Sequence, residues 1–129
     1  MNIEVMVTRL TSSLGMDVYK KHIKSAACIL DANYDVGLHR LYNACIKSGV
    51  NIEVAQYILL SKGMRDDLEI SEKDIKSNVK YAYPILMLCN VYYELHDKQF
   101  KTKEESLKII EHKYPEIPIT YLTLFKNIV

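Results

Sequence analysis

The chain has 129 residues, of which 49% are hydrophobic and 26% are charged, and 17 basic residues nearly balance 16 acidic ones. This length and composition predict a single globular domain that spans residues 1–129. A net charge of +1 argues against broad electrostatic binding to nucleic acid, which requires a clearly basic domain or face. No basic start is followed by the apolar stretch of a signal peptide, so we expect a cytoplasmic protein.

Four amphipathic helices are predicted in the first half of the chain. The first helix begins at Asn2, and the other three follow predicted N-terminal caps at Asp17, Asp35 and Asn51. Glycine follows three of these helices and ends them, at Gly15, Gly49 and Gly63. The residues IEVMV at the start of the first helix are also compatible with a short strand.

Apolar residues recur at helical spacing in all four helices, and we expect their side chains to face the core. The set includes Ile3, Met6, Val7, Leu10, Val18, Ile23, Ala26, Ala27, Leu30, Leu41, Tyr42, Cys45, Ile46, Ile52, Ala55, Ile58 and Leu59. The segment from Met64 to Ile70 lacks this periodicity, so it is predicted to be a short connector.

The stretch from Ser71 to Asp97 is predicted to form the central helix of a bundle. Its segment from Tyr81 to Tyr93 is apolar nearly all round, which is typical of a helix with neighbours on every side. This run is shorter than the roughly 20 residues that a membrane span needs, so we expect no membrane partner. Ser71 followed by Asp74 predicts the N-terminal cap, and Pro84 predicts a kink because it lacks a backbone N–H.

Two more helices are predicted after a polar turn at residues 96–101. Thr102 and Glu105 have the spacing of a capping box, and the helix that they open should end before Pro115. Pro118 is suited to open the last helix, with Ile119, Leu122, Phe125 and Val129 facing the core. The segment 117–129 also alternates like a strand, and both alternatives remain open. The predicted fold class is therefore all-α, a single-domain bundle of six to seven helices around a kinked central helix at 71–97.

Catalytic and metal-binding motifs are not evident in the sequence. None of the four histidines has another histidine three or four residues away, and the three cysteines fit no zinc or CxxC spacing. We expect Cys28, Cys45 and Cys89 to be reduced, buried thiols. A histidine–carboxylate group is possible only if Glu94, His96 and Asp97 meet Glu111 and His112 in space. The sequence thus predicts no enzyme, no metal and no cofactor.

By elimination, the sequence indicates protein binding. Five carboxylates are clustered near the start of the central helix, opposed by Arg65 and Lys73: Asp66, Asp67, Glu69, Glu72 and Asp74. We call these five residues the acidic edge. Clustered charge speeds and orients the encounter with a partner of opposite charge. We therefore expect a small inhibitor of a basic protein, such as an immunity protein that neutralises a basic nuclease toxin.

Two alternatives follow from the same observations. A viral or phage protein that modulates a host factor by binding would have a similar sequence. A nucleic-acid-binding regulator would use the basic group Lys20, Lys21 and Lys24 on the second helix. No arginine joins this group and no recognition-helix pattern is evident, so nucleic acid is the less favoured partner.

Overall fold

The computed structural model describes residues 1–129 and contains seven α-helices and no strand. The helices are α1 (Ile3–Ser13), α2 (Lys20–Ala32), α3 (Leu38–Lys47), α4 (Ile52–Leu59), α5 (Ser77–Tyr93), α6 (Lys103–Lys113) and α7 (Ile119–Phe125). Short 3-10 turns precede α2 and α5, at Asp17–Tyr19 and Glu72–Asp74, and a π-helical turn, Glu94–Lys98, continues α5. The all-α prediction is confirmed, and the strand alternatives at both ends of the chain are wrong.

Helix α5 lies at the centre of the bundle. Every residue from Ala82 to Tyr92 is buried, and the helix continues through Pro84 without a break. It packs against α1, α2, α4 and α6. Asn90, the polar residue within this run, donates a hydrogen bond of 3.0 Å from Nδ2 to the carbonyl oxygen of Ser61, which satisfies its amide in the core. The buried apolar residues form one cluster, so the chain is a single domain. None of the helices combines the length and apolar character that crossing a bilayer requires.

Two predicted N-terminal caps, Asn51 and Thr102, are confirmed, and Asn2 also caps α1. The Asn2 side chain accepts a hydrogen bond of 2.9 Å from the N–H of Val5, and Asn51 accepts one of 2.8 Å from the N–H of Glu53. Thr102 and Glu105 form both bonds of the capping box, each 3.1 Å long.

The glycine stops after α1 and α3 are also confirmed. Gly15 and Gly49 have φ angles of +67° and +75°, a region that other residues rarely adopt. Each glycine follows the last residues of its helix, and its left-handed conformation ends the helix there.

The predicted caps Asp17 and Asp35 are wrong. Asp17 lies in the 3-10 turn, where its carboxylate pairs with Lys20 at 2.8 Å, and α2 begins only at Lys20. Helix α3 begins at Leu38 after Gly37, without a side-chain cap. At both sites the acidic residue precedes the helix but does not cap its N-terminus.

Several side chains that were predicted to face the core are exposed. Val18 is 88% exposed because the 3-10 turn breaks the helical register that placed it inward. Ile119, at the first position of α7, is 68% exposed, and Ile46 and Ile52 are also on the surface. Cys28 is exposed, which corrects the prediction of a buried thiol, whereas Cys45 and Cys89 are buried as predicted.

The acidic edge as a candidate protein-binding site

The acidic edge lies on the irregular segment that joins α4 to α5. All five of its carboxylates are exposed. The structure thus places all five at the surface of one segment, residues 66–74. The segment contains no α-helix, and its one regular element is the 3-10 turn at Glu72–Asp74.

The C-terminal end of this segment is anchored by Gln56 on α4. The Gln56 amide donates a 3.1 Å hydrogen bond to the carbonyl oxygen of Asp74 and accepts a 2.8 Å bond from the N–H of Lys76. Gln56 is only 3% exposed. Because both bonds go to backbone groups on either side of Ile75, they hold that residue in an extended conformation and prevent α5 from starting earlier.

The predicted ends and the predicted cap of the central helix are wrong. The central helix begins at Ser77, not at Ser71, and its π-helical continuation ends at Lys98 within the stretch predicted to be a polar turn. The Ser71 side chain makes no capping bond. The acidic edge is therefore held by a side chain from another helix and not by a local cap.

The N-terminal end of the segment is anchored by Glu116, in the loop between α6 and α7. Its carboxylate accepts hydrogen bonds from the N–H of Met64, at 3.1 Å, and from the hydroxyl of Tyr83. Burial, and then the bond to Glu116, raise the pKa of Tyr83 well above its ordinary value, so Tyr83 stays a neutral donor.

Gly63 allows the close approach of this carboxylate. A Cβ atom at this position would lie 2.5 Å from Oε1 of Glu116 and 2.9 Å from the terminal methyl of Met87, and φ is +101°. Only glycine accommodates both the backbone conformation and the space. Gly63, the residue before the connector, thus leaves room for the Glu116 carboxylate that binds the N–H of Met64.

The five carboxylates differ in their surroundings. Asp67 lies 3.4 Å from Nε of Arg65. Glu69 turns towards α3, where Oε1 is 3.5 Å from Nδ1 of His39 and Oε2 accepts a 3.4 Å hydrogen bond from Asn43. No ion pair within the chain involves the carboxylates of Asp66, Glu72 or Asp74, so these three are available to a partner.

A small cleft opens between Asp66 and Glu72. It has a volume of about 230 Å³ and is lined by Met64, Arg65, Asp66, Leu68, Ile70 and Glu72. Half of its lining residues are apolar, Arg65 lies beside Asp67, and the carboxylates of Asp66 and Glu72 match the charge of a long basic side chain, whose aliphatic stem packs on apolar surface while its head is paired. The cleft therefore suits an arginine or lysine from another molecule.

The basic group on α2 is less available than the sequence suggests. Lys20 pairs with Asp17 and also donates to Ser12, and Lys24 lies 3.4 Å from Glu4. Lys21 makes no ion pair. Of the three lysines proposed to contact nucleic acid, two are thus paired with carboxylates of the same chain.

The histidine-centred groups do not form a shared site. His96 donates a 2.8 Å hydrogen bond from Nδ1 to the carbonyl oxygen of Lys101, and its ring stacks on Tyr92. No ion pair or hydrogen bond joins it to Glu111 or His112. No three His, Cys, Asp or Glu side chains are grouped closely enough to hold a metal ion.

Sequence reasoning missed the two residues that fix the acidic edge. Gln56 is 18 and 20 residues from its partners, and Glu116 is 52 residues from Met64. The one local signal was a glutamine within the apolar run of α4, where a polar residue requires a buried partner. Comparison with known protein families, with curated proteins and with solved structures finds no match to this chain.

Proposed function

We propose that the protein binds a basic protein partner through the acidic edge. In its most specific form, the proposal is that the chain is a small cytoplasmic inhibitor, such as an immunity protein that neutralises a basic nuclease toxin. The observation that carries it is the presentation of five exposed carboxylates on a segment whose two ends are anchored by Gln56 and Glu116.

Anchoring supports this function because binding orders whatever was mobile beforehand. A segment already held in one conformation loses less entropy when a partner docks on it. Exposed charges at the rim mainly accelerate association, whereas a well-packed central contact dominates affinity. We therefore assign Asp67 and Glu69 to the rim, and the cleft between Asp66 and Glu72 to a basic anchor residue of the partner.

The test begins with affinity capture from the native cell, with the wild-type chain and the Asp66→Lys/Glu72→Lys variant as baits. The expected result is a basic protein that the wild type retains and the variant loses. Asp35→Lys is the matched control, because Asp35 is an exposed carboxylate outside the acidic edge. A captured protein that binds all three baits equally would contradict the proposal.

The captured partner then permits a kinetic measurement. Reversal of Asp66 should slow association several-fold at low salt, and the difference should shrink as the screening length falls from about 30 Å at 0.01 M to about 10 Å at 0.1 M salt. Folding stability should change little, since exposed charges contribute about 0–1 kcal/mol. An association rate that is independent of salt would place the interface elsewhere.

A further inference from the structure

Phe100 is an unusual residue for the position it occupies. Its side chain is 88% exposed, and its φ of +57° makes it the one non-glycine residue in the chain with a positive φ. An exposed aromatic ring gains nothing from burial, and a left-handed conformation is strained in a residue with a Cβ. Glycine would be more stable at this position if folding were the only requirement.

The loop around Phe100 is nevertheless well fixed. The π-helical turn precedes it, the N–H of Lys101 donates to the carbonyl oxygen of Leu95 at 3.0 Å, and His96 bonds to the carbonyl oxygen of Lys101. The Thr102 capping box follows at once. The phenyl ring is therefore projected outwards from a rigid base at the N-terminal end of α6.

An apolar groove lies at the opposite end of the same helix. It has a volume of about 330 Å³, and its walls come from the C-terminal part of α6, the following loop and α7: Ile110, Glu111, Tyr114, Pro115, Ile117, Pro118, Ile119 and Leu122. A cavity of about 150 Å³ lined by apolar side chains is large enough for benzene. The groove can therefore receive a phenyl ring, and the exposed Ile119 stands at its edge.

The charges on the outer face of α6 alternate in sign. Two copies of this face in antiparallel orientation can therefore bring opposite charges together. Glu104, Lys108 and Glu111 follow one another at i, i+4 and i+7, which places them on one face. Lys101 and Lys103 precede them. None of these five side chains forms an ion pair within the chain.

We propose that two copies of the chain associate through antiparallel α6 helices, with Phe100 of each copy inserted in the α6–α7 groove of the other. Helix α6 has 11 residues and so a length of about 16 Å, which separates Phe100 from the groove. A two-fold axis perpendicular to the helix near residue 106, about midway between Phe100 and Glu111 of the groove, exchanges these two positions. Both contacts then form at once in a closed interface.

The charges fit the same arrangement. Antiparallel packing brings Glu104 of one copy beside Lys108 of the other, and Glu111 beside Lys101 or Lys103. Parallel packing would instead place like charges together. This surface is distinct from the acidic edge, so self-association and the proposed partner binding can be tested separately.

Sedimentation velocity of the full chain over a range of concentrations tests the proposal. The wild type should show a monomer–dimer equilibrium, and Phe100→Gly should weaken dimerisation by about 30-fold or more, as expected for loss of a central aromatic anchor. Because glycine relieves the positive φ, the variant monomer should be no less stable than the wild type. Val18→Ser is the matched control, since Val18 is equally exposed, at 88%, and should leave dimerisation unchanged.

The groove and the charges have their own variants. Ile119→Ser should weaken the dimer, and so should Glu104→Lys and Lys108→Glu, each made alone. The double swap Glu104→Lys/Lys108→Glu should restore association, because it exchanges the two signs across the interface. The proposal is overturned if the wild type stays monomeric up to about 1 mM, if Phe100→Gly dimerises as the wild type does, or if the double swap fails to rescue.

Discussion

Gln56→Met is the sharpest test of how the acidic edge is held. Methionine keeps the length and most of the volume of glutamine, so packing around this buried position changes little. What is lost is the donor to Asp74 and the acceptor for Lys76, at 3.1 and 2.8 Å. The substitution therefore separates hydrogen bonding from core packing.

The expected loss follows from the groups left without a partner. An unsatisfied buried backbone group costs about 1–3 kcal/mol. Both bonds of Gln56 are only partly buried, so water replaces part of the lost bonding, and we expect a total loss of about 1–3 kcal/mol. A domain of this kind has about 5–15 kcal/mol to unfold, so the variant should still fold.

Urea denaturation gives the stability, and hydrogen exchange gives the location of the change. The amide of Lys76 should exchange slowly in the wild type and much faster in Gln56→Met, while amides in the middle of α5 keep their protection. Gln99→Met is the control, because Gln99 is exposed and its side chain makes no hydrogen bond. A loss below about 0.5 kcal/mol with Lys76 still protected would refute the anchoring role of Gln56.

Four further outcomes are expected. Leu86→Ala should destabilise by about 2–5 kcal/mol in a denaturant titration, because Leu86 is fully buried in α5. Gly63→Ala should cost about 1–3 kcal/mol by the same measurement, since it combines a strained φ with a clash against Glu116. Thiol reagents should label Cys28 in the native protein and Cys89 only on unfolding, since Cys28 is exposed and burial raises the pKa of Cys89 well above its ordinary value. Burial also raises the pKa of Tyr57 above its ordinary 10.0. The contribution of Tyr57 to the free energy of unfolding is therefore complete below pH 10 and is lost as pH rises above it, by up to about 1.4 kcal/mol per pH unit. Tyrosinate absorbance would follow the ionisation.

Local signals in the sequence predicted the fold class because most of them act within one turn of helix. The Thr102 capping box needs only Glu105, three residues on, and the cap at Asn51 needs only Glu53. The apolar character of α5 required no knowledge of its neighbours. About two thirds of the chain (68%) is helical, so these local rules decided most residues.

Distant residues also act on helix ends, and the start of α5 was predicted wrongly for that reason. Asp31, on α2, accepts hydrogen bonds of 2.9 Å from the N–H groups of Ile3 and Glu4 and so completes the start of α1 from 28 residues away. Gln56 delays the start of α5 in the same manner. Such contacts leave no periodicity in the sequence, whereas the local cap at Ser71 has a plausible pattern and is not used.

For the candidate site, composition alone located the charges but not what positions them. The five carboxylates are close in sequence and lie on one exposed segment for that reason. Met64, Leu68 and Ile70 line the cleft beside them, and no alternation or helical spacing predicts that they do so. The groove near Ile119 was likewise hidden, because that residue was expected to face the core.

Glu116 connects the two surfaces, since its loop forms one wall of the α6–α7 groove while its carboxylate anchors the first residue of the acidic segment. Glu116→Ala should free the N–H of Met64 and the hydroxyl of Tyr83, and we expect a loss of about 1–2 kcal/mol, at the lower end for bonds to a charged group because the site is partly exposed. Glu116→Gln retains an acceptor oxygen and should lose much less. Hydrogen exchange at Met64 distinguishes them, since its amide should stay protected in Glu116→Gln and exchange rapidly in Glu116→Ala. If both variants protect Met64 equally, the segment is held by its other contacts and the carboxylate is not its anchor. If only Glu116→Ala releases it, association with the basic partner should slow in that variant although the charges of the acidic edge are intact, because a mobile segment must be ordered when it binds.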